Sequence, residues 1–213
     1  MAMSQQRSVW EGKVTMKGVM LEVPAHILEE RRISGADQWD EVWDGVLHMN
    51  PPPSVAHQDL EGQIELWLRQ FWVPTGLGNK VFHQVALSPD ENWVHNYRTP
   101  DVVLFRPAEL LHLQPTYCHG PCSVAIEIRS PGDETYEKLA FYAQLKVPEI
   151  WVIDSDSRAP EVHKLDATKY QRESAGVDGW FTSAAINAML KQDGNSLLIQ
   201  IVGDEATRRK LPE

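Results

Sequence analysis

The sequence predicts a mixed α/β domain of the α+β kind, with helices packed against a sheet, and three observations carry that prediction. Helix-period and strand-period segments interleave along the chain. Short β-rich runs such as "DVVLF" and "SVAIEI" lie between proline- and glycine-bearing breaks. One long segment, "AHQDLEGQIELWLRQFW", repeats its apolar residues every three or four positions. At 213 residues the chain suits one domain with a full core. Residues 1–18, polar and aperiodic, are read as an arm, and 19–213 as a single domain.

Taken in order, "PAHILEERRI" (24–33) opens with proline, which suits a first helical turn, and reads as a short charged helix. "DEVWDGVLHM" (40–49) reads as two short strands joined by a tight turn at Asp44-Gly45. Residues 56–72 place Leu60, Ile64, Trp67, Leu68 and Phe71 on one helical face, and "PTGLGN" ends that helix. Strands are predicted at 80–88 and 101–105, then a loop with a helical turn at "PAELLHL", then the strand "SVAIEI". The helix "DETYEKLAFYAQLK" (133–146) and the strands "EIWVID" and "APEVHKL" follow. Residues 166–213 read as a few edge strands and turns, notably "NSLLIQIV". The tryptophans at 39, 43, 67, 72 and 151 read as core or groove-wall residues.

Charge narrows the function. Twenty Lys and Arg against thirty Asp and Glu give a formal −10, the wrong sign for gripping nucleic acid by bulk charge. Contact with phosphates then requires a local basic patch or metal ions. No signal-like or membrane-length apolar run is present, so the chain reads as cytoplasmic with no membrane partner. Cys118 and Cys122 are too few for a disulfide framework. With His112 and His119 they match no standard zinc spacing, and no phosphate-cradling glycine motif occurs.

The chemistry concentrates in "SVAIEIRSPGDETYEKLAFY". Alternation puts Glu127 and Arg129 on one face of a strand, beside the small Ala125. Antiparallel pairing with the strand behind Pro100 brings Asp101 near Glu127, and two carboxylates held together repel unless a cation lies between them. Such a pair suits Mg²⁺ or Mn²⁺. On the next helix Glu134, Lys138 and Tyr142 form one stripe, from which Lys138 reaches back over Glu127. Paired carboxylates, a divalent ion and a lysine or arginine are the equipment of phosphodiester hydrolysis.

The string "PD", twenty-five residues, then "EIR", with "SPGDETYEKLAFYAQLKVPEIWVID" after it, resembles the PD-(D/E)XK nuclease superfamily and, more closely, the Uma-two branch of restriction endonucleases. The resemblance implies a restriction-endonuclease-like core, a mixed β-sheet flanked by helices. It implies a metal-dependent DNA endonuclease in which Asp101, Glu127 and Lys138 are catalytic with Arg129 assisting. Asp101, Glu127 and Glu41 would hold Mg²⁺ or Mn²⁺, His57 and Tyr142 would support the substrate, and the protein would act as a homodimer. One position departs from the pattern: Arg129 stands where the signature has lysine, and arginine cannot give up its proton. That substitution and the acidic charge motivate a rival reading, a nuclease-fold module without activity that works through protein or nucleic-acid contacts.

Overall fold

The computed structural model describes residues 23–212, so the arm expected at 1–18 lies outside the described residues. Helix α1 (Ala25–Ser34) follows Pro24 and closes on Gly35, whose φ of 73° lets its N–H reach the carbonyls of Arg31 and Arg32. Arg31 then ties the helix down, donating from Nε to Asp40 at 2.8 Å and from Nη2 to the Asn50 carbonyl at 3.0 Å. Strands β1 (Glu41–Trp43) and β2 (Val46–His48) form the expected hairpin. Asp44 and Gly45 sit at φ of 49° and 84°, positive at both turn positions as a tight two-residue hairpin turn requires.

Helix α2 (Val55–Trp67) starts at Ser54, whose hydroxyl accepts the N–H of His57 at 3.2 Å. It continues through a π-helical turn over Leu68–Trp72 and buries Leu60, Ile64, Trp67 and Leu68, the face the sequence marks. Strands β3 (Lys80–His83), β4 (Leu87–Ser88), β5 (Val102–Phe105), β6 (Cys118–His119) and β7 (Val124–Arg129) follow. Next come α3 (Leu139–Gln144), β8 (Glu149–Asp154), β9 (Pro160–Asp166) and β10 (Lys169–Arg172), then β11 (Phe181–Ser183), β12 (Ala188–Asp193), β13 (Ser196–Ile201) and β14 (Asp204–Leu211).

The central sheet is six-stranded and mixed, in the order β10-β9-β8-β7-β5-β3. Its one parallel pair is β7 with β8, the two strands that α3 connects; the other neighbours are antiparallel. Parallel neighbours need a crossover, and the helix between them supplies it. One face of the sheet packs against α2 through Val102, Leu104, Val124, Ile126 and Trp151. The other packs Val103, Phe105, Ala125, Ile150 and Val152 against Phe141, Tyr142 and Leu145 around α3. Alternation along β5 and β7 therefore feeds two cores.

Three expected elements differ in detail. The strand expected over 80–88 breaks after His83: Gln84 turns at φ 52°, and Leu87–Ser88 pairs in parallel with β6 instead. The helix expected over 133–146 shrinks to a 3₁₀ turn at Tyr136–Lys138 and the six residues of α3. The Asp133 carboxylate accepts the N–H groups of Ser130 and Thr135, at 2.5 and 3.1 Å, and this local bonding competes with a helical start. Finally, residues after 180 form a four-stranded antiparallel sheet, β11-β12-β13-β14, rather than loose edge strands. Ala188, Leu190, Leu197, Ile199 and Leu211 of that sheet bury into the same core as α2, and Trp67 donates its indole N–H to the Thr207 carbonyl at 2.8 Å.

Candidate active site

The site grows out of the β5–β7 pairing. Val102 faces Ile126 across the ladder, so the same register sets Asp101, one residue before β5, opposite Glu127. Asp101 is fixed there by the Ile128 N–H, which it accepts on Oδ2 at 2.6 Å. Glu127 is 3 % exposed. The Tyr142 hydroxyl donates to its Oε1, and Lys138 Nζ lies 3.3 and 3.2 Å from its two oxygens. The hairpin brings in Glu41, 2 % exposed, whose Oε1 accepts Lys138 at 3.0 Å and the Thr99 N–H at 2.7 Å while Oε2 accepts the Trp43 indole at 2.8 Å. Lys138 is thus held between two buried carboxylates.

A second cluster adjoins the first. His57 stands in the first turn of α2, with Nε2 3.0 Å from Asp101 Oδ1. One helical turn on, Glu61 is 4 % exposed and accepts His83 Nδ1 at 2.8 Å. Ligand atoms of His57, Glu61 and Asp101 all lie within 4.8 Å of one another. Glu61 is a residue that the sequence reading missed. Its signal was available: His57 and Glu61 are four apart on a helix and so share a face.

Burial sets the electrostatics. Desolvation pushes the Glu127 carboxyl up to about 8, with Asp101 and Glu41 adding to the rise and Lys138 and Tyr142 opposing it. Burial works against the charge on Lys138, yet Glu127 and Glu41 outweigh it and raise its pKa above the ordinary lysine value. Glu61 is raised by burial and by the Asp101 charge, against the pull of His83. Burial opposes protonation of His57, but the Asp101 hydrogen bond and charge prevail and its pKa rises.

Of the residues singled out from the sequence, Glu41, His57, Asp101, Glu127 and Lys138 line one cavity of about 340 Å³, and Tyr142 lies behind Glu127. Arg129 does not line it: its guanidinium pairs with Asp154 on β8 and lies 5.7 Å from the centre of the Tyr136 ring. Glu134, expected beside Lys138, pairs with His48 at 2.7 Å. Cys118 and Cys122 are buried in the core against α3, and His119 bonds the Pro89 carbonyl at 2.9 Å.

The family model described as "Uma2: Putative restriction endonuclease" matches residues 29–188, most of the chain. The chain belongs to the Uma2 family. The Uma2 match takes in both acid clusters, from Glu41 to Tyr142, and ends at the first residue of β12, before β13 and β14. Among solved structures, the chain is similar to a putative nuclease belonging to DUF820 from Anabaena variabilis, with a TM-score of 0.54 and 14 % identity over 69 % of this chain and 82 % of that one. At that identity the likeness speaks to the fold, a mixed sheet flanked by helices. No curated protein matches the chain. The family's description points to a nuclease.

The residues present fit a divalent cation. Two carboxylates and an imidazole converge, and among the described residues no lysine or arginine is paired with Asp101 or with Glu61, whose carboxyl is raised by burial and by the Asp101 charge. Oxygen donors suit Mg²⁺ and Mn²⁺, and the imidazole is the better ligand for Mn²⁺.

Proposed function

We propose that the protein is a metal-dependent DNA endonuclease that hydrolyses phosphodiester bonds with water as the nucleophile. The observation that carries this reading is the junction of the two clusters: of the cation-poor trio His57, Glu61 and Asp101, His57 and Asp101 open onto the same cavity as the lysine-bearing Glu41, Glu127 and Lys138, and Glu61 lines the adjoining one.

In this reading Asp101, with Glu61 and His57 beside it, holds Mg²⁺ or Mn²⁺, and Glu127 stands opposite at the margin of that site. When bound, such a cation supplies Lewis acidity toward the phosphate and makes water acidic enough to attack near neutral pH. Lys138 offsets charge that develops on the phosphate oxygens, and it stays protonated to do so because Glu41 and Glu127 stabilise its charge. Glu41, with both oxygens already accepting hydrogen bonds, orients Lys138. Tyr142 fixes the Glu127 carboxylate, and without the cation His57 Nε2 hydrogen-bonds Asp101. Arg129, engaged by Asp154, braces the end of β7.

Nicking of supercoiled plasmid in Mg²⁺ or Mn²⁺ tests the assignment, comparing wild type with Asp101→Ala and Glu127→Ala. Activity should fall to background in both variants; equal activity in all three proteins sinks it. The rival reading, a module without catalysis, draws on the same Lys138 ion pairs, which leave the lysine little freedom. Calorimetry separates the two, since a protein that takes up no Mn²⁺ fits only the module.

A further inference from the structure

The candidate metal trio lies between two cavities. His57 and Asp101 face the first, of about 340 Å³, and Glu61 faces the second, of about 370 Å³. The two share a wall that includes Trp39 and Pro53. Each is at the lower end of the ~300–1,000 Å³ range of small-ligand pockets, room on the scale of a nucleoside rather than of a duplex.

Depth argues the same way. Glu61 is 4 % exposed and Glu127 3 % exposed, behind walls that include Trp39, Trp43 and Pro51. A rigid duplex brings its phosphates to such recessed groups less readily than does a strand that has left the helix. Nor do the walls offer a duplex any purchase. Among the described residues that line either cavity, Lys138 is the only lysine or arginine, and it is engaged by two carboxylates. Duplex binding draws on many cationic phosphate contacts, whereas single strands are also held by stacking on aromatic rings.

The two tryptophans of the first cavity differ in what they can still do. Trp43 is already engaged, stacked by the His48 ring at 3.8 Å and 18° and covered by the Arg98 guanidinium at 4.3 Å. Trp39 has no aromatic or cationic ring partner among the described residues, and its backbone is anchored by Asn50, which donates to its carbonyl at 3.0 Å.

Resting on the endonuclease reading, we infer that the substrate is single-stranded DNA, or a strand unpaired from a duplex, with one nucleoside in each cavity. The scissile phosphate lies at His57, Glu61 and Asp101, and a base stacks on Trp39. Trp39 is then a specificity-determining residue.

Binding in Ca²⁺ tests this without depending on cleavage. Fluorescein-labelled single-stranded and duplex oligonucleotides of one sequence are titrated by anisotropy into wild type, Trp39→Ala and Trp39→Phe. The single strand should bind at least about tenfold more tightly than the duplex. Trp39→Ala should lose about tenfold on the single strand alone, in line with ~1–3 kcal/mol per stacked base, and Trp39→Phe should keep most of it. A single strand carrying 2-aminopurine should be quenched on binding wild type, a readout that needs no variant to fold. Duplex binding as tight as single-strand binding, an equal loss on both ligands in Trp39→Ala, or unquenched 2-aminopurine overturns the inference. Mn²⁺-dependent cleavage of the same oligonucleotides separates the two layers. Duplex cut in preference to single strand leaves the endonuclease reading standing and removes this one. Selective single-strand binding with no cleavage does the reverse.

Discussion

The two acid clusters of the site are neighbours, yet they solve the problem of buried charge in opposite ways. Around Lys138 the carboxylates of Glu41 and Glu127 share an internal cation, and a tyrosine, an indole and a backbone N–H satisfy their remaining oxygens. Around His57 the carboxylate of Asp101 accepts the Ile128 N–H, and among the described residues the ionisable side chains paired with Asp101 and Glu61 are imidazoles. The first cluster is complete as the chain folds. The second is short of positive charge, and a protein that keeps such a deficit at a cavity is equipped to take its cation from solution.

Breaking the first cluster should produce the largest effect. Lys138→Met leaves two buried carboxylates facing each other, and losing one partner of a buried pair costs about 3–5 kcal/mol. For a chain of this size that corresponds to a Tm lower by roughly 10 °C in thermal denaturation. The loss should be smaller at pH 5 than at pH 8. A carboxyl whose folded pKa is raised contributes stability below its unfolded value of 4.5 and loses it as pH rises through about 8, so a protonated Glu127 has less need of the lysine. A Tm drop that is equal at both pH values removes the electrostatic account of this cluster.

Breaking the second should do the opposite to stability. Asp101→Asn keeps an oxygen for the Ile128 N–H and removes a charge that crowds Glu61 and Glu127, so the metal-free protein should be as stable as wild type or more so. Mn²⁺ at a hundred times its Kd should raise the wild-type Tm through about 2.7 kcal/mol of linkage, and Asp101→Asn or Glu61→Gln should abolish that rise. A rise that survives both substitutions places the cation elsewhere.

Arg129 gives a smaller effect that sharpens the boundary of the site. Its partly exposed pair with Asp154 belongs to the class worth about 0–1 kcal/mol. Arg129→Ala should therefore lower the Tm by no more than a few degrees and leave nicking within about threefold of wild type. A loss of nicking as deep as that of Lys138→Met would return Arg129 to the reaction.

Much of this arrangement was legible in the residues. The Asp44-Gly45 turn, the apolar face of α2 and the β5–β7 pairing follow from local rules, and that pairing alone brings Asp101 to Glu127. What escaped depends on tertiary partners. Glu61 is given meaning by Asp101, forty residues away, although its four-residue spacing from His57 was in plain view. The C-terminal sheet was legible only as edge strands, because its strands alternate only in part. Even so, Gly194 and Gly203, at φ 61° and 77° in two-residue loops, carry the hairpin signal. The helix over 133–146 was over-read because the Glu134, Lys138 and Tyr142 stripe runs back to residues beside Asp133, whose carboxylate accepts the Thr135 N–H.

A third buried region calibrates the comparison with the smallest perturbation. Cys118 and Cys122 are fully buried in the core beside α3, and among the described residues no cation figures in their electrostatics. Burial alone pushes the Cys118 thiol from its ordinary 9.0 up to about 12, and burial, with Cys118 and Glu109 adding to it against a backbone hydrogen bond, raises Cys122 well above that ordinary value. These thiols thus show what desolvation does where nothing like Lys138 offsets it. Because the folded pKa is raised, their contribution to stability is intact below about pH 9 and is lost as pH climbs toward 12. Ellman's reagent at pH 8 should leave both thiols untouched in the folded protein and titrate both in guanidinium, where the thiolate forms at its usual pKa. Rapid reaction of either thiol in the folded state would mean that this side of the sheet opens to water. The raised carboxyl of Glu127, which shares that core through Tyr142, would then lose the burial that raises it.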